Sequence, residues 1–444
     1  MTRLLLISYW YPPVNAIASV RAAKFVKYLP QYDVEPIVLT SRFGTITSPR
    51  FLGQDVPNGA IVYRTRTFDA AETIKNLLSF NASIYDSTTS ILTDPGPVKR
   101  RITRLYYSIF DTPDPQLGWY ILSQRRAVQI ARNEKIDIIV SSSPPGSAHL
   151  LAAHVKKKTG LPWIADYRDL WSNNHYYYVK GNAMRRIDAW LERKALEAAD
   201  RLITVSAPLA ERLCDYLKRD VEIIPNGFDP DDYGPAPSPQ NKIVIVYTGN
   251  IYKGKRDPSI LFVALREMLD SGEINRETIA VEFYGRRFEG LREAIGRYNL
   301  NAIASIRGFV DYRRSLSLQR GATLLLMLDW LGEEGVTSGK IFEYLGAMRP
   351  ILCLGETPQN EVGRLLRTAK AGIYCATPEE AKTALRPLIK MFHDRGEITY
   401  QGIPSEIARF SRREGARKLA EILHETITST KSRILTNPTS RCCA

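Results

Sequence analysis

Along this chain, short runs of apolar and β-branched residues alternate with stretches whose apolar positions recur every three or four residues. The short runs predict strands, and the longer recurrence predicts amphipathic helices. In the first half the strand candidates are 4–8, 37–40, 61–63, 136–140, 163–165, 202–205 and 222–224, with helical patterns at 20–29, 147–158, 185–199 and 209–218. A turn- and proline-rich stretch at 229–241 then interrupts the alternation and reads as a linker. Beyond it the strand candidates are 243–248, 280–284, 304–307, 323–328, 351–354 and 372–375, and the helical patterns are 259–269, 291–298, 313–319, 340–347 and 379–391.

Strand–helix alternation of this kind implies βαβ units and parallel sheets. The expected fold class is therefore α/β, with two Rossmann-like doubly wound domains facing a central cleft. Open α/β sheets bind ligands beyond the carboxyl ends of their strands. The expected division is 1–228, the linker 229–241, a second domain at 242–408, a helix at 409–427 that could pack back on the first domain, and a mobile Ser/Thr/Arg-rich tail at 428–444. A stretch at about 68–120 is too long for one connection and reads as an insertion.

Composition narrows the partners. At 444 residues two cores are the default, and 44% apolar with 24% charged residues is ordinary globular usage. The 61 basic against 47 acidic residues leave +14, a field that favours anionic partners: phosphorylated small molecules, an anionic membrane surface or nucleic acid. Nucleic acid is disfavoured, because no recognition motif is present and the charges are dispersed. Five cysteines without paired spacing fit a reducing cytosol. No apolar run approaches the roughly 18–20 residues of a spanning helix, so a cytoplasmic chain, soluble or at most peripheral, is expected. The stretch 99–135 mixes Lys99, Arg100, Arg101, Arg104, Arg125, Arg126, Arg132 and Lys135 with Tyr106, Phe110 and Trp119. It reads either as a packed surface insertion or as a patch for an anionic membrane.

Five strand ends carry candidate chemistry. Ser338-Gly339-Lys340 precedes a helical pattern, and free N–H groups at a helix start make an anion site. Glu343 follows Gly339 by one turn and could accept from two vicinal ribose hydroxyls, or simply be a solvated helix residue. Gly249-Asn250 with Lys253, Lys255 and Arg256 combines backbone clearance with fixed positive charge, as a diphosphate requires, or is a solvated basic turn. In the first half Asp166, Arg168 and Asp169 leave one strand; they are either polar chemistry or a structural Asp–Arg network. Tyr11, Pro13 and Asn15 leave another strand, with Arg21 in the next helix, and Ser143 opens a third loop in which Ser147 is a plausible N-cap. Walker, nucleophile-elbow and zinc spacings are not found.

In order and spacing, these pieces resemble glycosyltransferase family four of the GT-B fold, in particular bacterial enzymes of surface polysaccharide synthesis. The matching residues are Tyr11-Pro12-Pro13 with Arg21, Ser143-Pro144-Pro145, Ala165-Asp166-Tyr167-Arg168-Asp169-Leu170-Trp171, Thr204-Val205-Ser206, Ile224-Pro225-Asn226-Gly227-Phe228-Asp229, Tyr247-Thr248-Gly249-Asn250 and Gly339-Lys340-Ile341-Phe342-Glu343-Tyr344. The resemblance implies retaining transfer of a sugar from a nucleoside diphosphate sugar, without metal or other cofactor and with UDP-sugar favoured as co-substrate. The acceptor would be a glycan, expected to be lipid-linked, met at the inner face of the plasma membrane. It implies donor contacts from Gly249, Asn250, Lys255, Arg256, Ser338, Gly339, Lys340 and Glu343, with the base near Val310. Acceptor-side residues would be Tyr11, Pro13, Asn15, Arg21 and Ser143, and catalytic candidates Asp166, Arg168, Asp169 and Glu334. Two departures stand out. Gly335 occupies the first position of the family's paired-glutamate pattern, and Asn15-Ala16 replaces its glycine pair after strand one. The family's first-domain histidine has no placed counterpart. The alternatives are a nucleotide-sugar 2-epimerase of the same fold and a non-catalytic membrane-associated scaffold.

Overall fold

The structure, a computed structural model, describes residues 1–14, 17–42, 56–68, 112–172, 182–235, 241–331 and 339–436. Asn15, Glu334, Ser338 and most of the stretch expected as an insertion lie outside the described residues.

The chain divides into two compact units, one of Met1–Pro225 with Ala416–Ala444 and one of Asn226–Gly415. In the first, strands β1 (Thr2–Ser8), β2 (Val34–Ser41), β3 (Ile61–Thr65), β4 (Ile138–Ser143), β5 (Trp163–Tyr167), β6 (Arg201–Thr204) and β7 (Glu222–Ile223) form a parallel sheet in the order β3-β2-β1-β4-β5-β6-β7. In the second, β8 (Ile243–Thr248), β9 (Ile279–Tyr284), β10 (Ala304–Gly308), β11 (Leu324–Leu328), β12 (Ile351–Leu354) and β13 (Gly372–Cys375) follow the same plan, β10-β9-β8-β11-β12-β13. Both are doubly wound sheets, with the strand order reversing beside the first strand of each.

Both faces of these sheets are covered, which is why the strands read as unbroken apolar runs. Along β1, Leu5 and Ile7 join one core cluster while Leu4 and Leu6 join the other. Along β8, Ile243, Ile245 and Tyr247 face one cluster, and Val244 and Val246 the opposite one. Each fully buried aliphatic side chain contributes about 1.5–3 kcal/mol relative to exposure.

Two boundaries differ from expectation. The segment after Pro225 belongs to the second unit: Phe228 donates its N–H to Phe410 O, its carbonyl accepts from Arg412 N, and its ring lies in the core beside β8 and β11. The expected mobile tail begins as helix. The helix runs over Arg412–Thr436, and its hydroxyls bond carbonyls one turn back, Thr428 on His424 O, Ser429 on Glu425 O and Thr430 on Thr426 O, rather than drawing the backbone out of the helix. From Ala416 onward it supplies Leu419, Ala420 and Leu423 to the first unit's core.

Candidate functional site

In the second unit β8 and β11 are neighbours at the reversal of strand order. The helix Lys340–Ala347 follows β11, so its start meets the loop leaving β8. Tyr344 pins the two together, its hydroxyl accepting from Thr248 N at 3.0 Å. Gly249 leaves room for the end of the Lys340 side chain, since a Cβ there would lie 2.4 Å from Lys340 Cε. Gly285, just after β9, is required by close approach, because a Cβ there would fall 2.1 Å from the backbone Gly249 O. At Gly339, which caps the helix without a side-chain bond, the space where a Cβ would stand is open.

Lys340 is partly buried in this corner. Desolvation lowers its pKa, Glu343 opposes that and Arg256 adds to it. Among the described residues its ammonium makes no hydrogen bond and no ion pair. Arg256 donates to Asn250 O at 3.2 Å and to Tyr247 Oη at 3.3 Å, and its guanidinium lies 5.2 Å from the Trp330 ring centroid. Lys255 Nζ lies 5.9 Å from the same ring. Asn250 spends its Oδ1 on the backbone N–H groups of Arg286 and Arg287, tying the β8 and β9 loops together.

Glu343 is half-buried, and its Oε2 accepts from Gln319 Nε2 at 3.0 Å. Gln319 is fully buried and also donates to Thr248 Oγ1 at 2.9 Å. Tyr233 holds the backbone of the same residue, donating to Glu343 O at 2.6 Å. Val310 follows β10, two strands away from β8, beyond the exposed Phe309 ring, over which Arg286 stacks at 4.0 Å. The expected donor residues that are described thus gather on one sheet edge, with Val310 at its far end. Tyr344, of the motif that carries the resemblance, joins them, as do Gln319, Tyr233 and Trp330, which were not anticipated.

The first unit is arranged differently. Asp166 lies within β5 and is wholly buried, where Arg21 forks onto it, Nε to Oδ2 and Nη2 to Oδ1, both 3.0 Å. Ser142 Oγ adds a third bond at 3.1 Å. Asp166 and Arg21, expected as catalytic and acceptor-side groups, are engaged with each other. Removing either partner would leave a buried unpaired charge, worth about 3–5 kcal/mol. Arg168 is engaged too, its Nε on Ser143 O and its Nη2 on Pro144 O. The three-residue cluster splits because only Asp166 lies within β5, which ends at Tyr167, and Arg168 and Asp169 follow it.

Asp169 alone of that cluster turns outward. Crowding on its inner side holds its carboxyl above the usual range, against the pull of Arg168. Tyr11 and Ser143 are buried and Pro13 is exposed. Ser147 is not the N-cap. Gly146 stands there, and Ser147 donates its N–H and hydroxyl to Asp114, both at 2.7 Å. His149, one turn into that helix, packs on Tyr167 at 4.7 Å between ring centroids. Burial pushes its imidazole down to about 3, with Asp166 opposing and Arg168 adding to the fall.

Residues 87–232 match the model of Glycosyltransferase Family 4. No curated protein matches the chain. Among solved structures, a glycosyltransferase from Rickettsia africae superposes with a TM-score of 0.56 at 14% identity, over 96% of this chain and 98% of the other. The lipopolysaccharide outer core galactosyltransferase WaaB in its apo form gives 0.52 at 13%, over 97% and 99%. A putative UDP-N-acetylglucosamine 2-epimerase from Listeria monocytogenes gives 0.52 at 12%, over 97% of each chain. At these identities the structures establish a GT-B fold, within which residues 87–232 carry the match to Glycosyltransferase Family 4.

Proposed function

We propose that the enzyme moves a sugar, with retention, from a nucleoside diphosphate sugar to a lipid-linked glycan acceptor in surface polysaccharide synthesis, on the cytoplasmic face of a membrane. UDP is the favoured nucleotide. TarM of S. aureus, of similar fold with a TM-score of 0.51, has been solved with UDP and α-GlcNAc-glycerol. The single observation that carries the donor half is the partly buried ammonium of Lys340. It stands beside Gly249 and below an open helix start, with Glu343 one turn further on.

A diphosphate fits that corner by charge and by clearance. In transfer the bond from the anomeric carbon to the diphosphate oxygen breaks and the acceptor oxygen takes that carbon. Negative charge grows on the departing diphosphate, where Lys340 and the fork of Arg256 meet it. Glu343 takes the ribose, and the base lies toward Val310. From β8 to β10 is two strand spacings, roughly 10 Å, in keeping with the span from diphosphate to base.

The pH dependence of donor binding tests the assignment. The Lys340 pKa is lowered in the free enzyme, and a bound diphosphate would raise it again. Affinity for UDP should therefore hold steady up to the free-enzyme value and fall above it, by at most about tenfold per pH unit. Titration calorimetry across the alkaline range should see that fall in the native protein and none in Lys340→Arg, which stays charged. Equal profiles would remove Lys340 from the diphosphate. The 2-epimerase of similar fold keeps one rival reading alive. Nuclear magnetic resonance of a UDP-sugar incubated without acceptor separates the two, because epimerisation yields a new sugar signal there and transfer does not.

A further inference from the structure

Three helices cover one face of the first unit's sheet: Leu117–Asn133, Ser147–Thr159 and Asn182–Leu196. They precede β4, β5 and β6 respectively, so all run antiparallel to the strands and begin at the sheet's carboxyl edge. Their inward sides fill a single core cluster. Their outward sides leave four large apolar side chains in solvent, Ile121 (52%), Leu122 (48%), Ile187 (42%) and Trp190 (56%). Ile121, Leu122 and Ile187 lie in the half of their helix nearer that carboxyl edge, and Trp190 lies just past the middle of its own.

The charge on Asn182–Leu196 is sorted by face. Its two acids point inward: Asp188 is 3% and Glu192 1% exposed, and Glu192 accepts from Tyr167 Oη and Ser172 N. Arg185, Arg186, Arg193 and Lys194 are all exposed, and Lys194 lies 4.7 Å over the Trp190 ring. The first exposed acid, Glu197, comes just after the helix. A soluble helix ordinarily turns its acids to water and its apolar residues inward. Here the outer face has a tryptophan and an isoleucine among four cations, the composition of a helix lying in the plane of a lipid interface. Leu117–Asn133 repeats the pattern with Ile121 and Leu122 beside Arg125 and Arg126, and it contains no acid at all.

We propose that the outer face of Asn182–Leu196, continued by Ile121 and Leu122, docks on an anionic lipid surface. Trp190 and Ile187 enter the headgroup boundary, and the four cations sit on lipid phosphates. The surface stands on its own residues and does not depend on the donor reading. It shares with that reading only the expectation that the acceptor is lipid-linked. The charge sorting favours lipid over a protein partner, because a diffuse anionic plane matches four unpatterned cations.

Sedimentation of the full chain with vesicles of phosphatidylcholine alone, or with phosphatidylglycerol added, tests it directly. The native protein should pellet with the anionic vesicles at low salt and much less with the neutral ones. The double variant Ile187→Asp, Trp190→Asp should bind at least about tenfold more weakly while its circular dichroism and cooperative melt are unchanged, which shows that the first unit stays folded. Brominated lipids should quench the fluorescence of the native protein and spare that of Trp190→Phe to the extent that Trp190 carries the signal. Native protein left in the supernatant, or a double variant that pellets equally, would overturn the proposal. Loss of UDP binding with vesicle binding retained would instead count against the donor site alone.

Discussion

Gln319 is the residue through which the candidate ribose carboxylate is aimed. One buried amide nitrogen reaches Thr248 at the end of β8, Ser315 on its own helix and Glu343 on the next. A carboxylate held from one side by such a donor has its remaining lone pairs free for ligand hydroxyls. Gln319→Leu should cost about tenfold in affinity for UDP while leaving 2′,3′-dideoxy-UDP almost unaffected, since a charge-assisted hydrogen bond is worth about 1.5–3 kcal/mol. Calorimetry with both ligands reads this out. Equal losses for the two would make Gln319 a packing residue only. Glu343, Gly249 and Lys340 were legible in the sequence because glycine turns and helix starts announce themselves locally. Gln319 was not, since it sits in a polar stretch and its partner is 24 residues away. Arg21 and Asp166 are further apart still, 145 residues, and no local pattern joins them.

Among elements, the strands were the most legible. Burial on both faces of a parallel sheet writes an unbroken apolar run, and β8, β12 and β13 begin and end at the expected residues. Helices that depend on remote partners were harder. Glu361–Thr368 begins at an Asn360 cap within a stretch of turn formers, and Leu117–Asn133 was partly hidden in what read as an insertion. The helix Ser147–Thr159 shows why local cap rules fell short, since its capping carboxylate, Asp114, arrives from 33 residues upstream. His149 in that helix has a measurable consequence. Ser141 Oγ accepts from Trp163 Nε1 and shares a hydrogen bond with His149 Nδ1, while burial favours the neutral imidazole. With the folded pKa near 3 and the unfolded value near 6.5, its contribution is complete above pH 6.5 and is lost as pH falls toward 3. Acidifying from pH 7 to 5 should remove about 2 kcal/mol, and His149→Phe should flatten that part of the profile. Thermal unfolding of both proteins across this range is the test, and identical slopes would mean that the histidine does not stay neutral.

The whole molecule takes its division from its last long helix. Ala416, Leu419, Ala420, Ile422 and Leu423 stand in the same cluster as Leu4, Val38, Ile138 and Ile203. The first unit is therefore not a contiguous piece of chain. Residues 1–225 expressed alone should expose that apolar surface and aggregate or stay partly unfolded, and adding a peptide of residues 412–436 should restore a cooperative melt. A fragment that melts cooperatively without the peptide would show that the helix is dispensable. During synthesis on the ribosome the order of completion is then reversed from the order of translation. The second unit, whose segments all lie between Asn226 and Gly415, can close while the first still waits for a helix translated after it. Until that helix emerges the nascent chain carries an open hydrophobic seam in the part made before the second unit. That seam is where a chaperone would be expected to bind, and slowing translation of the codons for 416–436 should lengthen the time for which it is exposed.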